Sequence, residues 1–476
     1  MNFEENPLRI VSGPRGLPLL GVVPPFGRDP LAFLTGLRDD FGDAVTWSTG
    51  PRRWLFLSHP AHISEMLAAK ERTFKIIEPG WAFQHVAGHS VVVSAGNTWR
   101  RKRALVQPAV RPRNVRAHAR TMINCAEELT DQWHDGQHVD ARAQMSQLAR
   151  RVVLRTLFGE DLDDTKGQLR GALDTAERVV GEEVRSISQF FPGWMPTTSH
   201  RRLRRATAEI DREVLTLIEA RRALAAAHRA GPDDLVDRLL EARDEAGRPL
   251  TAKETRDEAV TMWAVGQETI STTLSWTWHL LSASPGARSM LEAELDRVLK
   301  GRAPAIEDYE HLTVTRQIIR EVLRLYPPLW LLPSVAGRDA TLAGVSIPSG
   351  TVVCWSPWVT QRDPRWFPDA AEFRPERWHP NRPEREADRA WFPFGSGPRA
   401  CLGAHFALTT ATLLVATIAQ RFRLEIPTGP AALRLGLLLR PASPQTATLH
   451  RRETHHLRSA RDDGSRTDHA TTARTP

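Results

Sequence analysis

The strongest constraint on the fold is a helical hydrophobic period running, with few breaks, from roughly Pro60 to Pro327. Apolar residues recur every three or four positions, Arg and Glu fill the other faces, and proline–glycine clusters such as Phe191-Pro192-Gly193 and Gly231-Pro232 end the segments. Such a chain buries its apolar stripes by packing helix on helix. Before this block, a Pro/Gly-rich stretch from Pro14 to Pro30 leads into a helical pattern (Leu31, Leu34, Leu37). Ala44–Trp47 and Trp54–Leu57 then flank Ser48-Thr49-Gly50-Pro51 and read as a hairpin. Beyond Leu332 come short β-like pieces, Val345–Ile347 and Val352–Trp355, then a proline-rich stretch, Ser356 to Pro393, long enough to be functional. The pattern is mainly α with a small β lobe (α+β), with residues 1–16 a flexible N-terminal segment and 450–476 a polar, disordered tail.

Composition narrows the function classes. With 41% hydrophobic and 25% charged residues in 476, the chain can build a large core and is neither fibrous nor disordered. Three scattered cysteines, Cys125, Cys354 and Cys401, provide neither a disulfide framework nor a paired zinc site, which fits a reducing, cytoplasmic setting. Met1–Gly16 lacks the apolar run of a signal or anchor. Ala404–Ala419, interrupted by threonines, falls short of the ~20 residues of a membrane span and reads as a buried helix. The net charge of +8 comes without a Lys/Arg run or zinc-finger spacing, so nucleic acid is not expected; solvated basic patches or an acidic protein partner are.

One loop carries chemistry. Phe394-Gly395-Ser396-Gly397-Pro398-Arg399-Ala400-Cys401-Leu402-Gly403 delivers a single cysteine to a helix N-terminus, where backbone N–H groups favour thiolate. Gly397 and Gly403 let backbone approach something flat, Arg399 offers a cation to a carboxylate, and Phe394 covers the sulfur. A lone cysteine is more often inert packing. A nucleophilic one needs a positioned His, and none is singled out. The complete Phe-x-x-Gly-x-Arg-x-Cys-x-Gly pattern resembles the cytochrome P450 superfamily, the haem-thiolate monooxygenases. The resemblance spans roughly Leu17 to Leu449 and implies haem b with Cys401 as axial thiolate, which favours O–O cleavage.

The resemblance assigns further residues. Glu321-Val322-Leu323-Arg324 matches the family's Glu-x-x-Arg helix, and with Arg377 of Phe373-Arg374-Pro375-Glu376-Arg377-Trp378 it implies a structural triad, Glu321–Arg324–Arg377. A long helix from Thr251, capped by Glu254, to about Ser284 spans roughly 50 Å. It contains Ala264-Val265-Gly266-Gln267-Glu268-Thr269, similar to the family's acid–alcohol motif: Gly266 passes close over the ligand while Glu268 and Thr269 relay protons. Trp99 and Arg103 match the Trp-x-x-x-Arg helix that meets a haem propionate. Arg100, Arg101 and Lys102 are then expected on the outer surface, as a footprint for an acidic iron–sulfur donor. Ser334 and Gln361 stand where relatives often have Arg or His, and leave propionate anchoring leaning on Arg103 and Arg399.

Fifteen tryptophans against two tyrosines, with Trp81, Trp263 and Trp330 at positions where the family lines its pocket and Phe83, Val265 and Leu332 beside them, imply a hydrophobic substrate. Gly16-Leu17-Pro18-Leu19-Leu20-Gly21, Arg28-Asp29-Pro30-Leu31 and Gln361-Arg362-Asp363-Pro364 look similar to soluble bacterial members of the family that oxidise cyclic terpenes. The expected activity is hydroxylation with electrons from NAD(P)H through ferredoxin and ferredoxin reductase, by a monomer with no bound flavin or dinucleotide. Epoxidation, desaturation or oxidative coupling stays open as the outcome, as does a haem protein that senses a ligand without turnover.

Overall fold

The computed structural model describes residues 11–17, 21–49, 51–77, 81–159, 168–183, 195, 197–227, 234–342, 345–381, 386–429, 432–442 and 444–452. The principal helices are α1 (Pro60–Ala68), α2 (Trp81–Ala87), α3 (Gly96–Val106), α4 (Ala119–Asp131), α5 (Ala141–Phe158), α6 (Thr198–Ala226), α7 (Ala252–Ala283), α8 (Thr313–Leu325) and α9 (Ala404–Arg421). Helix α7 starts where its sequence says: Thr251 Oγ1 accepts the Glu254 N–H (3.1 Å) and Glu254 returns a bond to the Thr251 N–H (2.9 Å). It runs through the molecule against α5, α6, α8 and α9. Its buried hydroxyls stay satisfied because Thr273, Ser275 and Thr277 each donate to the carbonyl four residues back. Helix α9 is buried continuously from Thr409 to Gln420, as the Ala404–Ala419 pattern predicts, and no helix among the described residues is long and apolar enough to cross a membrane.

The β lobe is a six-stranded sheet of order β1 (Val11–Ser12), β2 (Ala44–Thr49), β3 (Arg52–Leu57), β9 (Val352–Trp355), β6 (Leu332–Ala336), β4 (Phe74–Ile76). The predicted hairpin is β2–β3, with Trp47 opposite Trp54 and their rings stacked at 4.8 Å. Val345–Ile347 (β8) pairs only with Ala340–Leu342 (β7), outside that sheet. A second sheet, β10 (Phe422–Glu425), β13 (Thr446–Arg451) and β5 (His138–Asp140), closes the chain's end onto the helical body, and β11 (Leu433–Leu435) with β12 (Leu439–Pro441) forms a small hairpin. Two boundaries shift. Strand β1 pairs in parallel with β2, so regular structure begins inside the segment 1–16 expected to be flexible, and β13 ends at Arg451 rather than 449. Most of the expected tail, and both proline–glycine breaks named above, lie outside the described residues.

Candidate active site

Cys401 stands where its loop hands over to α9. Short bonds fix the backbone there: Cys401 N–H to Phe394 O (2.9 Å), Gly395 N–H to Phe392 O (3.0 Å), Ala400 N–H to Gly397 O (3.1 Å). Gly397 has φ +70°, and a Cβ on it would lie 2.5 Å from the Leu67 carbonyl oxygen. The close approach it permits is thus to α1, a protein contact rather than the ligand contact expected. Gly403 has an ordinary φ of −86°, and a Cβ there would meet only the Cys401 sulfur, at 4.0 Å. Cys125 and Cys354 are buried in the core; Cys401 alone has an open surface. Burial raises its thiol pKa, opposed by the Gly403 N–H and the Arg103 charge. The thiolate therefore depends on a cation at the sulfur, as metal ligation provides.

Around this loop positive charge is in excess. Arg399 stacks over Trp99 (4.5 Å to the ring centre), with Arg103 5.8 Å from the same ring. Lys70, half-buried, is pushed down to about 8 by burial and by Arg399. The nearby carboxylate is Glu71, bonded to Arg399 Nε at 2.6 Å. The Arg103 guanidinium has no hydrogen bond or ion pair with another described residue besides its place over the Trp99 ring, and burial lowers its pKa. Ser334, on β6, is buried with its Oγ unpartnered among the described residues. Three cations against one carboxylate, with the Arg103 guanidinium unpaired among the described residues, form a site that wants an anion; a haem with its propionates fits it.

The triad is present. Arg324 reaches Glu321 through Nε and Nη2, both 2.9 Å, and Arg377 Nε reaches it at 2.9 Å. Two donors not anticipated, Trp378 Nε1 (2.8 Å) and the Arg374 N–H (3.0 Å), complete the shell. Glu321 and Arg324 are fully buried. Arg324 also donates to the carbonyls of Gln361, Ala370 and Glu372, stapling the meander to α8. Gln361, considered for a propionate, belongs here: its Nε2 caps the Leu323 and Arg324 carbonyls, and its Oε1 accepts the Phe392 N–H at 2.8 Å.

In the middle of α7, Val265 is 39% exposed although most of the helix from Thr255 to Leu281 is buried. Gly266, against Val153, and Thr269 lie on that stretch, and Thr269 Oγ1 donates to the Val265 (2.9 Å) and Gly266 (3.1 Å) carbonyls. Glu268 ion-pairs with Arg440 of β12 at 2.9 Å, a partner without signal in the sequence. Trp263 is a correction: it is 1% exposed, because residues 263 and 265 sit about 200° apart on a helix and cannot share a face. The faces of Trp81 are occupied by His85 (4.9 Å) and His200 (4.3 Å). Trp330 packs beside the N-terminal aromatic cluster and bonds Gly436 O (2.9 Å), while Leu332 packs against the core under the sheet and Phe83 is half-buried. Of the expected substrate wall, Val265 alone presents an open surface.

The basic footprint is also revised. Lys102 is 2% exposed and paired with Glu258, and Arg101 is held by Asp244 and Glu254, both at 2.8 Å, because α3 is wedged against α7. Arg100 remains outside, with Arg111, Arg113, Arg116 and Arg120 further along the chain.

A cysteine loop at a helix N-terminus, a buried Glu–Arg–Arg clamp and a long helix carrying an acid–alcohol pair together fit a haem-thiolate enzyme. The family model for Cytochrome P450 matches residues 11–447, and the chain belongs to that family, whose haem iron is ligated by a cysteine thiolate. It is 34% identical over 429 residues to cyclooctat-9-en-7-ol 5-monooxygenase of Streptomyces melanosporofaciens, covering 88% of this chain and 91% of that protein. To pentalenene oxygenase of Streptomyces avermitilis it is 33% identical over 424 residues, covering 87% and 91%. It is a cytochrome P450 monooxygenase homologous to terpene-oxidising enzymes.

Proposed function

We propose that the enzyme hydroxylates a cyclic terpenoid with few polar groups, using electrons from NAD(P)H through ferredoxin reductase and a ferredoxin. The observation that carries the substrate class is Val265, an apolar side chain 39% exposed in the middle of α7, together with similarity to oxygenases named for pentalenene and cyclooctatenol. When bound to Cys401, the haem supplies reductive activation of dioxygen and transfer of one oxygen atom to a C–H bond. Trp99, Arg103, Arg399 and Ser334 would hold its propionates, and Phe394 would shield the sulfur. Thr269 holds a proton at Oγ1, and Glu268 exchanges protons with it once its carboxylate leaves Arg440. Epoxidation, desaturation or coupling would use the same residues.

The donor footprint supported best is the exposed arginine set Arg111, Arg113, Arg116 and Arg120. Arg116 lies close enough to His405, on the first turn of α9 beyond Cys401, to lower its pKa. The test is a titration of the holoenzyme with pentalenene and cyclooctatenol for a low- to high-spin shift, followed by turnover with a surrogate ferredoxin. One hydroxylated product with matched NADPH use supports the reading; no shift and no product with any cyclic terpenoid overturns it.

A further inference from the structure

The segment between α2 and α3 lies against the first turns of α7 and is gripped there by two carboxylates. Asp257 Oδ2 accepts the His89 N–H at 2.9 Å, and Gly88, at φ +56°, has no room for a Cβ, which would fall 2.2 Å from Asp257 Oδ1. Glu258 accepts the Val91 N–H on both oxygens, at 2.9 and 3.0 Å. Arg256 holds the Val86 carbonyl at 2.7 Å while pairing with Asp257 and with Asp211 of α6. The other edge of the segment faces the cysteine loop, where Arg399 donates to the Val91 carbonyl (3.3 Å) and to the Ser94 carbonyl. Lys102 of α3 donates to His89 O and lies 3.5 Å from Glu258.

Glu258 is fully buried and Lys102 is 2% exposed. An ion pair so placed gains little stability over apolar packing of the same volume, so its retention calls for another role. Its connections supply one. Glu258 grips Val91, whose own carbonyl orients Arg399, and it grips Lys102, the neighbour of Arg103 on the helix that carries Trp99. Arg399 is pulled the other way by Glu71; the two carbonyls of the segment keep its guanidinium over the Trp99 ring.

We propose that Glu258 is a positioning residue for the haem propionate site, fixing with Lys102 the strap 86–94 and thereby the orientation of Arg399 and of α3. This rests on the reading that Trp99, Arg103 and Arg399 hold the propionates. The test uses ferric holoenzyme and measures haem transfer to excess apomyoglobin beside the urea midpoint of unfolding. E258L/K102M replaces the pair by apolar groups and leaves the Val91 N–H without its acceptor. G88A pushes the strap off Asp257 without changing any charge. Each is expected to lower the urea midpoint, since it strands a buried N–H or crowds Asp257, and to release haem on the order of tenfold faster than a variant of matched midpoint altered away from this segment. E258Q, which keeps an acceptor for Val91, should recover part of the retention. If whichever of the two variants folds releases haem no faster than its matched control, the proposal is overturned. R103L and R399L separate the layers: if they accelerate release while the strap variants do not, positioning by Glu258 is wrong and the propionate reading stands. If neither arginine variant matters, the propionate reading itself fails.

Discussion

The two sides of the cysteine are built on opposite principles. On the meander side, Glu321 receives five N–H donors, and Arg324 spends its remaining N–H groups on three carbonyls. On the α7 side, an apolar residue is exposed, and among the described residues Thr269 Oγ1 bonds only carbonyls of its own helix and Glu268 has one ionic partner, Arg440. A buried network with every member satisfied has one arrangement; a wall with unspent valence has several. The first property suits holding a sulfur in place, the second suits moving protons beside a substrate.

The largest effect should therefore follow a break on the meander side. R324A strands the Glu321 charge and three carbonyls in the core, at a cost of about 3–5 kcal/mol. Urea denaturation should show that loss, or no folded protein at all. A mild change would mean that water or Arg377 replaces the guanidinium, and that the clamp is looser than its geometry. C401A comes next and separates fold from chemistry: the loop's bonds use backbone N–H groups, so stability should change little, while thiolate ligation and oxygenation are lost. A reduced CO complex absorbing as the parent's does would refute Cys401 as ligand.

On the α7 side, T269A should leave the unfolding midpoint within about 1 kcal/mol, since its hydroxyl only bonds carbonyls already in the helix ladder. Product per NADPH should fall, by up to about 10²-fold if it relays protons. R440Q tests the same relay more gently. Freed from its ion pair, Glu268 should change the rate of product formation by a few-fold, and an unchanged rate would show Arg440 to be mere packing.

This contrast also explains what the sequence could reveal. The cysteine loop and the ends of α7 were legible because each is local, a glycine pattern and a capping box; the triad came through the family resemblance, since its Glu-x-x-Arg spacing recurs at Glu209/Arg212 and Glu294/Arg297 and Arg377 is remote in sequence. Arg440, Glu71 and the true place of Lys102 were not, because each depends on which element packs against which. Lys102 shows the limit. Helical spacing correctly separates it from Trp99 and Arg103, but says nothing about α7 covering that other face. Trp263 was within reach, since its angle to Val265 follows from 3.6 residues per turn; choosing by residue type put both on one wall.

A further effect is one of pH, and it belongs to the junction of the two sides. Burial is the main cause raising the Glu258 pKa from 4.5 to about 7, against the opposing pull of the Val91 N–H and Lys102. Between those values the folded protein holds a proton that the unfolded chain has released. Stability should consequently decline as pH rises from about 4.5 to 7 and level off above, the reverse of a carboxylate held by its salt bridge. Comparing urea midpoints of parent and E258Q across that range isolates the contribution, because the amide removes the titration and keeps an acceptor for Val91. If the difference between the two is flat with pH, Lys102 outweighs burial and Glu258 is charged throughout. In that case the strap is held by a permanent ion pair, and acidification would loosen it only below the ordinary carboxylate range.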